Sequence, residues 1–148
     1  MTKGRKTFRK IITSSELTAQ INPKNVKLVN RFLKNFATKR SPNSVVSYRS
    51  NYTIFFTWNL LYNDNKPFEK IRKIELLDFF DFATTELKWS PNRFNQCHSS
   101  LSSLSEWIEN YLDDDDEYKD FRNIVKKIEK PVKENVRKKT VLQKEDID

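Results

Sequence analysis

Three times along this chain a capping side chain stands directly before a proline: Asn22-Pro23, Ser41-Pro42 and Ser90-Pro91. Each pair is a helix start. The cap oxygen accepts a hydrogen bond from an early helix N–H, and proline at the first helical position has no N–H to leave unpaired. Apolar residues at helical spacing follow each pair. Val26, Val29, Phe32, Leu33 and Phe36 mark a first helix. Val45, Tyr48, Tyr52, Phe55 and Phe56 mark a second, running through Leu60. Phe94, Cys97, Leu101, Leu104, Ile108 and Tyr111 mark the last. A further stripe, Leu76, Phe79, Phe80, Ala83 and Leu87, lacks a proline start and follows the loop Asn63-Asp64-Asn65-Lys66-Pro67. The sequence thus predicts four helices of roughly 15–20 residues joined by short loops, an all-α four-helix bundle.

Strand alternatives find no support. No stretch alternates with period two, and the single glycine, Gly4, argues against tight hairpins. It also excludes glycine-rich phosphate loops of the Walker or dinucleotide type. One cysteine and one histidine exclude an internal disulfide and a His/Cys metal cage. No apolar run could span a bilayer, so no membrane association is expected. The 148 residues allow one domain with tails. The tails are a basic arm over 1–20, with Lys3, Arg5, Lys6, Arg9 and Lys10, and a basic linker over 119–148. The helical domain covers 21–118. Between residues 119 and 139 nine lysines and arginines stand against three acids. The acidic run Asp113–Glu117 lacks the alternating ligands and central glycine of a calcium loop and reads as a solvated loop.

No catalytic site emerges. Cys97 and His98 are neighbours in sequence, so on a helix they point about 100° apart and cannot pair as nucleophile and base. Cys97 falls on the apolar face as a small buried thiol, and His98 at its margin, at the core edge or facing outward. Neither a cofactor nor a metal is expected.

The net charge of +8 favours an anionic partner. Opposite the apolar stripes, the second helix presents Asn43, Ser44, Ser47, Arg49, Ser50 and Asn51. The fourth presents Asn92, Arg93, Asn95, Gln96, Ser99, Ser100 and Ser103. Neither face carries an acid. Arginine, asparagine and glutamine read base edges, serine and lysine suit phosphates, and short side chains let a helix settle into the major groove. The alternatives are an RNA-binding helical module and a helical protein–protein adaptor with an acidic partner.

The segments "INPKNVKLVNRFLKNF", "SPNSVVSYRSNYTIFFTWNL" and "SPNRFNQCHSSLSSLSEWIENYL" resemble, in order and spacing, the core-binding domain of tyrosine recombinases of the phage-integrase family, of the type found in Gram-positive bacteria and their phages. A Ser-x-x-(Ser/Thr)-x-x-x-Tyr element is present as Ser41, Ser44 or Val45, and Tyr48. The ending "FRNIVKKIEKPVKENVRKKTVLQKEDID" resembles the linker into the catalytic domain of that family. The resemblance implies a SAM-like helical domain that binds double-stranded DNA, with the second and fourth helices in the major groove. It implies no strand-transfer activity for this chain, because the tyrosine nucleophile belongs to a catalytic domain absent here. It further implies a cytoplasmic protein whose full-length form works as a tetramer on DNA, the fragment alone being monomeric. The residues it assigns to DNA are Asn43, Ser44, Ser47 and Arg49; Asn92, Arg93, Asn95, Gln96, Ser99 and Ser100; Lys39 and Arg40 before the second helix; and Lys126, Lys127, Lys130, Lys133, Arg137, Lys138 and Lys139 in the linker. Trp58, Trp89 and Trp107 are left between the core and a surface that docks a neighbouring protomer.

Overall fold

A computed structural model describes residues 14–132. Within them the chain is all-helical: α1 (Ser15–Thr18), α2 (Pro23–Phe36), α3 (Pro42–Tyr62), α4 (Lys73–Thr85) and α5 (Pro91–Tyr111), with single 3-10 turns at Phe68–Lys70 and Val125–Lys127. The three cap–proline starts form as the sequence dictates. Asn22 Oδ1 accepts from the Lys24 N–H at 3.0 Å, Ser41 Oγ from Ser44 at 3.2 Å and Ser90 Oγ from Arg93 at 3.2 Å. The start of α4, which has no proline, is held differently: the Glu75 carboxylate accepts from the Arg72 N–H at 3.0 Å.

α5 is the central element, packing against α2, α3 and α4. The core is rich in aromatic edges. Phe55, Phe79, Phe80, Leu101, Leu104 and Ile108 are buried, and Phe79 alone meets the rings of Phe55, Trp58, Phe80 and Trp89. Val26, although in register with the α2 stripe, is 41% exposed. Trp58 is buried in the core, whereas Trp89 and Trp107 are half-buried. Cys97 lies wholly inside, where burial outweighs the nearby Arg93 charge and pushes its thiol up to about 12. Among the described residues, no cluster of three or more potential metal ligands is present, and no helix is long and apolar enough to cross a membrane.

Parts of both expected tails belong to the packed structure. At the N-terminal side, α1 touches α3. After the acidic run, Phe121 and Ile124 pack on the core, Val125 and Ile128 are buried, and the turn at Val125–Lys127 lies against α4 and α5. Buried Asn123 fixes this return: its N–H donates to the Glu109 carboxylate at 2.7 Å and its amide to the Ser102 hydroxyl at 3.1 Å. His98, buried rather than facing outward, donates Nε2–H to the Ile128 carbonyl at 3.0 Å. Burial, only partly offset by that bond, holds its imidazole below its usual range.

An asparagine seam joins the loop before α4 to the start of α2. Asn65 Oδ1 accepts from the Asn22 N–H at 3.0 Å, and Asn25 donates to the Lys66 carbonyl at 2.9 Å while accepting from the Phe68 N–H at 2.8 Å. Asp64 and Asn65 have φ of 62° and 52°, a region where a short polar side chain serves in place of glycine. Next to this seam, Glu75 receives Lys66 and Arg72. Burial disfavours its charge, but the Lys66 hydrogen bond, the Arg72 N–H and both cations prevail and hold its carboxyl at about 2. A carboxyl whose folded value lies below its unfolded one stabilises the fold above the unfolded value, near 4.5, and loses that contribution as pH falls toward 2. Urea midpoints should therefore drop between pH 4.5 and 2, and Glu75→Gln should flatten that drop. An unchanged pH profile in the variant would show that Glu75 carries none of it.

Candidate nucleic-acid interface

The first halves of α3 and α5 lie side by side and enclose an open cleft of about 670 Å³. From α3 come Asn43, Ser44, Val46, Ser47, Tyr48, Ser50 and Asn51; from α5 come Arg93, Gln96 and Ser99. Among the described residues no carboxylate lines it, and Arg93 is the one charged side chain in the lining, held on two sides. Its guanidinium carbon sits 4.5 Å from the centre of the Trp89 ring, and Nη1 donates to Asn51 Oδ1 at 2.6 Å. Asn51 in turn donates to Ser100 Oγ at 2.7 Å, and Ser100 donates to the Gln96 carbonyl at 3.1 Å. Tyr52 adds a bond from its hydroxyl to the Ser100 carbonyl at 2.6 Å. This chain crosses from α3 to α5, so the two helices cannot slide without breaking it. It leaves Arg93 anchored through one N–H group, with further donors directed by the same planar fork.

The sequence-assigned residues divide by where the helices turn them. Asn43, Ser44, Ser47, Arg93, Gln96 and Ser99 meet in the cleft. Ser100 does not face it: the side chain is fully buried at the α3–α5 contact, where it serves Asn51 and not an outside ligand. Arg49 also leaves the set. It points toward α2, donating to Asn30 Oδ1 at 2.9 Å beside a separate small pocket. The helical period explains this, since Arg49 follows Ser47 by about 200° of rotation. Asn92 is exposed at the α5 start outside the cleft lining; Asn95 is half-buried, its Oδ1 shielded and without a hydrogen-bond partner. Lys39 and Arg40 are exposed between α2 and α3, Arg40 lying 5.5 Å from the Phe36 ring centre. Lys126, Lys127 and Lys130 are exposed on the C-terminal return. Lys133, Arg137, Lys138 and Lys139 lie outside the described residues.

Two participants escape sequence reasoning. Asn51 is visible as one more polar residue of α3, but its role as the link between Arg93 and Ser100 depends on how the helices are paired. Trp89, in the loop before α5, carries no pattern that marks it as a platform for a cation.

Searches against protein-family models, curated proteins and solved structures each return no match for this chain.

Proposed function

We propose that this chain is a duplex-DNA-binding module, the core-site-binding part of a site-specific tyrosine recombinase, and is not itself an enzyme. The observation that supports this most is the acid-free cleft between α3 and α5 with Arg93 already fixed at its edge. The mechanism is entry of the two helix starts into the major groove. Arg93 keeps donors for guanine, Gln96 and Asn43 carry amides for adenine, and exposed Val46 offers an apolar contact to a thymine methyl. Ser44, Ser47 and Ser99 add short hydroxyl donors for phosphates, and the two capped helix starts add positive dipole ends. Lys39, Arg40, Lys126, Lys127 and Lys130 supply charge that attracts duplex of any sequence.

The test is anisotropy with labelled duplexes of about 30 base pairs, the site first selected from a random duplex pool, across a salt series. Log K should fall linearly with log salt. Arg93→Ala should weaken the selected site by about 1–3 kcal/mol, while Lys127→Ala should weaken all sequences alike and flatten the slope by about one unit. Absence of duplex binding at low salt, or Arg93→Ala binding like the parent, removes the assignment and leaves the adaptor reading.

A further inference from the structure

A second concavity lies further along α5, where its last turns face the last turns of α2. It measures about 540 Å³ and is lined by Arg31, Lys34, Asn35, Thr38, Trp107 and Tyr111. The composition is unlike that of the α3–α5 cleft: two cations, one amide, a threonine hydroxyl and two large aromatic rings, with no acid in the lining among the described residues.

The aromatic pair is built as a ledge. Trp107 is half-buried because its ring packs edge-on against Phe32, centroids 5.7 Å apart, and this fixes its plane. Tyr111, one turn later on α5, lies 6.1 Å from Trp107 and remains 65% exposed. A tyrosine this exposed at the end of a helix does little for the core. The two cations stand on α2 at a spacing of three residues and are both exposed, so they face the ledge from one side. Asn35 already binds Lys39 weakly, Nζ to Oδ1 at 3.5 Å, which brings a third cation to the rim.

Flat apolar faces beside cations suit a ligand that alternates flat rings with negative charges. We infer that this α2–α5 groove binds unpaired nucleotides of a single strand, with a base stacked on the exposed Tyr111 ring, the Trp107 ring tilted 46° to it as a side wall, and the flanking phosphates on Arg31 and Lys34. Stacking on aromatics next to a basic track is how sequence-tolerant single-strand binding works in general. A duplex hides its base faces and cannot use this ledge. An acidic peptide could use the cations but has no need of the rings. The groove stands about 16 Å from the duplex cleft, taking Gln96 to Trp107 along α5 at the helical rise. Its case does not depend on what that cleft binds.

The experiment uses the full chain and a labelled oligothymidylate of about 20 nucleotides, which forms no duplex, read by anisotropy at low salt. Binding should appear, and Tyr111→Ala should weaken it about fivefold or more, while Tyr111→Phe, which keeps the ring, should bind like the parent. Lys34→Ala, a change at an exposed position, should lower affinity and reduce the salt slope by about 0.7. Ile74→Ala, at an exposed position that lines neither concavity, should leave oligothymidylate binding unchanged. Three outcomes overturn the inference: no binding at low salt; binding indifferent to Tyr111→Ala, which assigns it to charge alone; or complete displacement by polyglutamate with Tyr111→Ala displaced no more easily than the parent, which assigns the groove to an acidic protein segment.

Discussion

Phe79→Ala should cost about 3–5 kcal/mol of unfolding free energy. Phe79 has no exposed surface and touches four other rings, at centroid separations of 4.9 Å to Phe55, 5.2 Å to Phe80, 5.5 Å to Trp58 and 5.9 Å to Trp89. Those neighbours belong to α3, α4 and the loop before α5, so the cavity left behind is walled by three different elements. Collapse around it would need all three to move, which keeps the cavity term large. The change is measurable as a fall in the urea midpoint at constant slope, and as a drop in melting temperature on the order of 15 °C. Val46→Ala, a truncation at a position 67% exposed, serves as the control and should stay within about 0.5 kcal/mol. A Phe79→Ala loss below about 1 kcal/mol would show that the aromatic cluster is loosely packed. Trp89 links this prediction to the cleft: it rests on Phe79 on one side and carries the Arg93 guanidinium on the other.

What the sequence reveals here follows from what kind of signal each feature leaves. Cap–proline pairs and stripes of period 3.6 are local, and α2, α3 and α5 begin where those pairs stand. The return after the acidic run leaves no such signal. Phe121, Ile124, Val125 and Ile128 are spaced among lysines, and a composition rich in cations hides these apolar residues that dock. Their burial is decided by the groove beside α4 and α5, which no local pattern encodes. The same holds at the cleft. Polar faces without acids single out α3 and α5, yet whether a polar residue faces outward or inward depends on the neighbouring helix. Ser100 sits on the polar side of α5 by period and is covered because α3 lies over it. Arg49 and Arg93 look equivalent in the sequence. One is drawn to Asn30 of α2, the other to Asn51 of α3, and only the second borders the cleft.

Asn51 makes that choice physical, and its removal should be felt in two separate measurements. Asn51→Ala deletes the acceptor for Arg93 and the donor to Ser100 in one step. Asn51 is 4% exposed, and one of its two bonds is to a charged group, so the stability loss should be about 1–3 kcal/mol. Ser100 keeps its bond to the Gln96 carbonyl and is not orphaned, which holds the loss below that of Phe79→Ala. The second measurement is duplex affinity. Asn51 sits at the inner side of the cleft and is almost wholly buried, so on the proposed reading it acts by positioning Arg93. Freed of Asn51, the guanidinium keeps only the Trp89 ring and must give up rotamer freedom on binding. Affinity for the selected site should then fall, while the salt slope, which counts neutralised phosphates, should stay as it was. Arg93→Ala and Asn51→Ala should be non-additive: in the double variant the loss should be close to that of Arg93→Ala alone, with a coupling energy of about 0.5–3 kcal/mol. Strict additivity in affinity would mean that Asn51 touches DNA by itself or not at all, and that the bond to Arg93 serves only to hold α3 against α5.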